Sequence, residues 1–332
     1  MAVDKRRPGG HRQGRTDDGA GMDHSTETTG TVPARKGIAD QAWLLMTLPG
    51  LFWAGNAIVG RAVAGDVPPV ALAFWRWVGA VLIVLPFAWR HLRADIRPML
   101  KAWPIMLALS ALGITAFNTL LYIAAQTTSA LNIVMLQSSM PVLVVGATFL
   151  LFREAVTGRQ ALGIAVSLAG ALILVSHGDP ASLARLELNR GDIWLLVAIV
   201  SYALYTALLR RRPAVHGLSL VAATFALGAA MLLPFYLWES LSGRPLPLTS
   251  TSALAIAYVA VFPSILAYLS FNRAVALLGA NTAGLAVHLV PVFGTILAVL
   301  LLGETPQLHH GLGIGLIAVG IGLAARRAGK GA

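Results

Sequence analysis

The sequence predicts an all-α membrane protein: ten transmembrane helices, arranged as two inverted five-helix repeats around a central cavity. Three observations carry that prediction. The 332 residues are 57% hydrophobic and only 12% charged, with a mean hydropathy of +0.73, whereas a soluble domain carries about twice that charge. About ten apolar stretches approach the ~20 residues that cross a bilayer. The third observation is a duplication. Laid without a gap on 268–322, residues 118–172 put Ala124 on Ala274, Ala130 on Ala280, Pro141 on Pro291 and Glu154 on Glu304. Leu162-Gly163-Ile164 then falls on Leu312-Gly313-Ile314, and Gly170 on Gly320. Leucine on leucine means little in so apolar a chain. Proline, glutamate and glycine in register mean more, because each answers a backbone or charge requirement.

Residues 1–40 hold Lys5, Arg6, Arg7, Arg12, Arg15, Arg35 and Lys36 among Gly, Asp and Thr. With no apolar residues to build a core, they are expected to be a disordered basic tail. The spans are expected near 42–62, 69–89, 103–124, 130–152, 159–176, 191–209, 217–238, 252–273, 280–302 and 309–326. Residues 41–176 form the first repeat, 177–190 a linker, 191–326 the second repeat and 327–332 a short tail. The connections 125–129 and 274–279 are too short to be anything but turns.

Lysine and arginine set the orientation. One side has the basic tail, then Arg90, Arg93, Arg97, Lys101, Arg153, Arg159, Arg210, Arg211, Arg212, Arg273, Arg326, Arg327 and Lys330; the other has only Arg61, Arg185, Arg190 and Arg244. Basic loops stay inside, so both termini are expected to be cytoplasmic, in the inner membrane of a bacterial cell. Five spans per half is an odd number, so the second copy enters the membrane upside down. Inverted repeats of this kind mark transporters that open a central site alternately to each side.

The net charge of +11 would suggest nucleic acid in a soluble protein. Here the basic residues flank apolar spans, so the partners expected are lipid and a small solute, with no nucleic acid. The chain has no cysteine, which excludes disulfides, thiol catalysis and cysteine metal sites. No GxxxxGK[ST] loop is present, so ATP-driven pumping within this chain is not expected. No cofactor or metal is called for, and the choice between monomer and homodimer stays open.

Each half also resembles an EamA domain of the drug/metabolite transporter superfamily, over residues 42–326. In the first half the resemblance rests on Trp53-Ala54-Gly55-Asn56, Arg61, Pro68-Pro69 leading to Arg76, Asn118 to Tyr122, Ala124, Pro141, Arg153-Glu154, Gln160, Gly163 and Gly170. In the second it rests on Gly191-Asp192, Tyr202-Ala203-Leu204-Tyr205, Ala267-Tyr268, Pro291, Leu302-Gly303-Glu304 and Gly320. The resemblance implies a ten-helix permease with a central cavity. Members often export amino acids, some of them aromatic, and related branches carry sugar phosphates and nucleotide sugars. The superfamily's small multidrug exporters rely on a glutamate in their first helix. This chain departs from them there, with Trp53 and Asn56 at mid-span and no acid.

Several residues are candidates for contact with a solute. Trp53 and Tyr202 stand mid-span at matching repeat positions, where an interfacial anchoring role is closed to them. Tyr122, Tyr205 and Tyr268 add aromatic surface, and Asn56, Asn118, Gln137 and Asn272 add amides. Such walls suit a small zwitterion or an aromatic solute, and ordinary packing accounts for them equally well. His288 is the histidine deepest in a span, on one face with Asn281, Gly284, Pro291 and Thr295, and intramembrane ionisable groups are functional candidates. The alternative is a neutral histidine bonded to a neighbouring helix. Arg76 offers a planar donor fork to an anion, snorkels to the outer surface or braces another helix. Pro141 and Pro291 free the carbonyls of Gln137 and Val287 and are candidate hinges. Glu154 and Glu304 terminate helices where the dipole disfavours a carboxylate, which calls for a specific partner. Ala161/Ala165 and Gly311/Gly315 form small-xxx-small pairs that predict close helix packing.

The leading expectation is export of an amino acid by a secondary transporter that is not an enzyme. The competing readings are an intramembrane enzyme, hinted at only by His309-His310 beside Glu304, a carrier of nucleotide sugars or other metabolites, and a passive channel.

Overall fold

The computed structural model describes residues 41–128, 133, 136–179, 181, 189–302, 305 and 307–325. The tail 1–40, most of the linker 177–190, Ala130, Glu304 and the tail 327–332 lie outside the described residues. Those described form ten helical elements and no strand. They are α1 (Ala42–Ala62), α2 (Pro69–Lys101), α3 (Trp103–Ala124), α4 (Met140–Phe152), α5 (Gly158–Val175), α6 (Arg190–Leu208, with a 3-10 turn Leu209–Arg211), α7 (Gly217–Leu241), α8 (Ser250–Leu278), α9 (Ala280–Leu302) and α10 (Leu308–Ala325). Eight are long and apolar enough to cross a membrane, and α4 and α10 are shorter apolar helices.

Local chemistry explains the helix starts. Thr157 and Gln160 form a reciprocal capping box on α5, which satisfies two backbone donors that would otherwise be orphaned. Asn189 and Asp192 do the same for α6, and Thr128 donates to the Asp192 carboxylate, tying that start to the end of α3. The first turn of α2 is capped from a distance. The buried Glu239 at the far end of α7 accepts from the amides of Val70 (3.4 Å) and Ala71 (2.8 Å), where a helix N-terminus favours negative charge.

Three boundaries differ from the sequence expectation. The fourth span, expected over 130–152, has its helix α4 only from Met140, after a turn at 138–139. The run 90–101, expected as a basic loop, continues α2 as helix to Lys101, and Asp95 within it ties it to the start of α7 by accepting from the His216 amide at 3.0 Å. Likewise α8 runs through the expected turn at 274–279 and stops only at Gly279, whose φ of +82° suits glycine.

Packing follows the duplication. Helix α2 lies against its counterpart α7, and α5 against α10, while α1 on α8 is matched by α6 on α3, and α1 on α9 by α6 on α4. Each of these contacts thus has a partner under exchange of the halves. The matched helices run antiparallel. A Cβ on Gly163 would meet the carbonyl oxygen of Gly320 at 2.6 Å, and one on Gly170 that of Gly313 at 2.7 Å. The small-xxx-small prediction is therefore corrected. Ala161, Ala165, Gly311 and Gly315 are exposed, and the backbones approach instead through glycines seven residues apart. Seven residues make nearly two whole turns, which keeps both glycines on one face along a longer contact.

Helices α3 and α8 share an irregularity. Ser110–Ala116 and Val261–Leu266 are π-helical, at matching positions of the two halves. A π segment turns backbone carbonyls out of their usual ladder, and these face the centre of the protein.

Candidate functional site

A cavity of about 70 Å³ lies among α1, α3, α6, α9 and the chain leading into α4. It is lined by Trp53, Asn56, Ala57, Gly60, Phe117, Asn118, Leu121, Tyr122, Ala125, Ile133, Gln137, Met140, Tyr202 and Val287. At ~30 Å³ per water, that space holds about two water molecules. A solute of amino-acid size needs the walls to part.

Six of the residues singled out from sequence line this cavity: Trp53, Asn56, Asn118, Tyr122, Gln137 and Tyr202. Trp53 meets Tyr202 edge-on, with ring centroids 5.7 Å apart. Four more lie behind the wall. Tyr205 donates to Asn272 Oδ1 at 2.7 Å, and Tyr268 donates to the Gly113 carbonyl that the π segment frees. Gly113 also makes room for Tyr205, whose ring a Cβ there would strike.

His288 is fully buried and does not line the cavity. Its Nε2 lies 2.8 Å from the Ser138 carbonyl and its Nδ1 2.7 Å from Ser167 Oγ. A carbonyl only accepts, so Nε2 carries the proton and Nδ1 accepts from the serine. The neutral ring thereby joins α9 and α5 to the turn that precedes α4. Pro141 is the second residue of α4, where its missing N–H costs nothing. Pro291 follows a 3-10 segment, Gly284–His288, in α9. Both prolines thus sit just past a break in helical geometry.

Arg76 braces neighbouring helices, one of the roles its place in the sequence allowed. It is wholly buried. Its Nε donates to Ser264 Oγ (2.6 Å) and one terminal nitrogen to the Pro263 carbonyl (3.0 Å). The other donates to Asn56 Oδ1 (3.2 Å), Asn118 Oδ1 (2.8 Å) and the Tyr122 hydroxyl (2.8 Å). Ser264 and Pro263 belong to the π segment of α8, so that irregularity supplies a bonding site for the cation. Sequence reasoning missed both π segments; Pro263 within span 8 was the one available signal.

Glu154 pairs with Arg210 at 2.7 Å, the partner its helix end called for. No group of three or more His, Cys, Asp or Glu able to hold a metal occurs among the described residues.

Ten apolar helices in two like halves, with a small, mainly apolar cavity inside, define a polytopic, internally duplicated membrane protein. Comparison with known proteins narrows the class. The model of the EamA-like transporter family matches residues 41–176 and 189–326, and the chain belongs to that family. It is 26% identical over 280 residues to the uncharacterized transporter YyaM of Bacillus subtilis, covering 82% of this chain and 89% of that one. An uncharacterized transporter of Archaeoglobus fulgidus is 27% identical over 278 residues, covering 83% and 94%. The uncharacterized inner membrane transporter YicL of Salmonella typhimurium is 29% identical over 251 residues, covering 74% and 81%. A crystal structure with 19% identity superposes with a TM-score of 0.69 over 87% of this chain and 99% of the other, a likeness of fold. The protein is thus a multi-pass membrane transporter.

Proposed function

We propose that this transporter exports a small metabolite, an amino acid (aromatic ones included), across the bacterial inner membrane by alternating access between two inverted repeats. Both termini are cytoplasmic in this reading. The observation that carries it is an asymmetry between equivalent positions. Trp53, Asn56, Asn118, Tyr122 and Gln137 of the first repeat line the cavity. Their counterparts Tyr202, Tyr205, Tyr268, Asn272 and Val287 are all buried, and three of those five lie outside it. One repeat is parted and the other closed, as expected of one state of a two-state carrier. When the halves exchange conformations, Tyr205, Tyr268 and Asn272 take over the wall, with the breaks before Pro141 and Pro291 as hinges. The His288 bond to Ser138 then links equivalent points of the two hinges. The antiparallel packing of α5 on α10 and of α2 on α7 supports the inversion.

The test is counterflow in proteoliposomes. Vesicles loaded with unlabelled amino acid should accumulate labelled amino acid, with saturation. Flux of sugar phosphates or nucleotide sugars instead would replace the amino-acid assignment, and unsaturable flux would make the protein a channel. A reporter at the C-terminus that reads as external would overturn the orientation.

A further inference from the structure

We propose that the cavity selects its solute by a carboxylate, with Arg76 as the buried counter-charge, and that an amino group on the solute is dispensable. This rests on the cavity being the solute site.

Arg76 has five hydrogen-bond partners, all neutral, with no carboxylate among them. The Trp77 ring, 4.7 Å from its guanidinium carbon, adds a further electrostatic support. A buried cation without a counter-ion is costly, most of all inside a membrane span. Packing at this position does not require it. Arg76 aligns with Phe225 at the 149-residue offset that puts Gly79 on Gly228, and Phe225 is fully buried against Trp77 and Tyr268. One repeat closes on an apolar ring where the other holds a charge.

That charge stands one side-chain layer behind the cavity, since Asn56, Asn118 and Tyr122 both touch it and line the space. It also orients them. Asn56 Oδ1 accepts from Arg76 and from Tyr122, which turns the Asn56 amide nitrogen away from the cation with no partner of its own among the described residues. Tyr202 lines the same cavity, and its hydroxyl is buried without a hydrogen bond. The Asn56 amide nitrogen is therefore an unspent donor in the field of a cation, and the Tyr202 hydroxyl is a second one buried in the wall. No Asp or Glu lines it. A carboxylate, with two acceptor oxygens and one negative charge, completes this arrangement. An ammonium finds aromatic faces and the Gln137 amide oxygen, but no opposite charge among the described lining residues.

The experiment measures binding to the full chain in nanodiscs by calorimetry, with four probes on one skeleton: leucine, 4-methylpentanoate, 3-methylbutylamine and 4-methylpentanamide. A parallel series is built on phenylalanine. Acid and amino acid should bind alike, and amine and amide about tenfold or more weakly. Because Arg76→Gln leaves several acceptors unpaired and risks misfolding, the decisive variant is Asn56→Asp. It gives Arg76 an internal counter-ion, so it should fold with an unchanged or raised melting temperature and lose acid binding by about tenfold or more. Amine or amide binding as tight as the acid overturns the proposal, as does acid preference surviving in Asn56→Asp. In those outcomes Trp53→Ala still weakens binding and the cavity stands as the site. If no probe in either series binds, the cavity reading itself fails, and the carboxylate proposal fails with it.

Discussion

In the first repeat Tyr122 of α3 donates to Asn56 of α1 at 2.8 Å; in the second, Tyr205 of α6 donates to Asn272 of α8 at 2.7 Å. Asn56 is the counterpart of Tyr205, and Tyr122 of Asn272. The phenol and the amide have changed places while the bond between the helices persists. Around this shared bond the halves diverge. The first adds Arg76 and leaves a cavity; the second adds Phe225 and packs Tyr202, Tyr205, Tyr268 and Phe271 together. Duplication supplied two like frames, and the side chains at matching depths decide which one keeps a cavity.

The frame itself is the easiest thing to break. Gly170→Leu drives a side chain into the Gly313 carbonyl and the Ile317 nitrogen, 2.7 and 2.9 Å from where even a Cβ would sit. Overpacking against backbone should cost about 3 kcal/mol or more, seen as a loss of monodisperse protein after heating in detergent. Gly315→Ala on the exposed face of α10 is the control and should leave the melting temperature unchanged.

The next effect separates wall from packing. Trp53→Ala and Tyr202→Ala should each weaken solute binding by about 1–3 kcal/mol, roughly the worth of burying such a ring. The measurement is a raised Michaelis constant in counterflow at unchanged expression. Unaltered kinetics in the double variant would remove these aromatics from the site.

His288→Ala comes third. It removes the bonds His288 makes to the Ser138 carbonyl and the Ser167 hydroxyl, at about 1–3 kcal/mol for a buried group that loses its partner, partly relieved where water enters. His288→Gln restores one bond and should recover part of the thermal stability. If His288 serves only to join the helices, surviving protein of either variant transports with a normal Michaelis constant. A raised constant would give it a share in solute contact.

Much of this was legible in the sequence because the bilayer enforces it. Span number, the duplication and six cavity residues follow from length, register and depth. The π segments were not legible, because what stabilises them is distant in sequence: Gly113 is held by Tyr268 and Pro263 by Arg76. The helix-packing face was misread for a related reason. Small residues four apart are a local pattern, whereas the contact made by Gly163, Gly170, Gly313 and Gly320 depends on how two whole helices cross. Glu239 as the cap of α2 has no local signature either.

The smallest expected effect concerns Glu154, a carboxylate that recurs in the duplication as Glu304 and so seems important on sequence grounds. In the structure its partner Arg210 is 59% exposed and Glu154 itself 45%. Water screens such a pair, and holding two long side chains in place costs entropy, so exposed ion pairs contribute under about 1 kcal/mol. Arg210 also lies over the Phe152 ring at 5.4 Å, a contact that does not need the glutamate. Glu154→Gln keeps the shape and a hydrogen-bond acceptor while removing the charge. It should shift the melting temperature by no more than a degree or two and leave transport unchanged. A large loss of transport with stability intact would mean that this pair works as a latch between α4 and α6, opening and closing with the halves it joins.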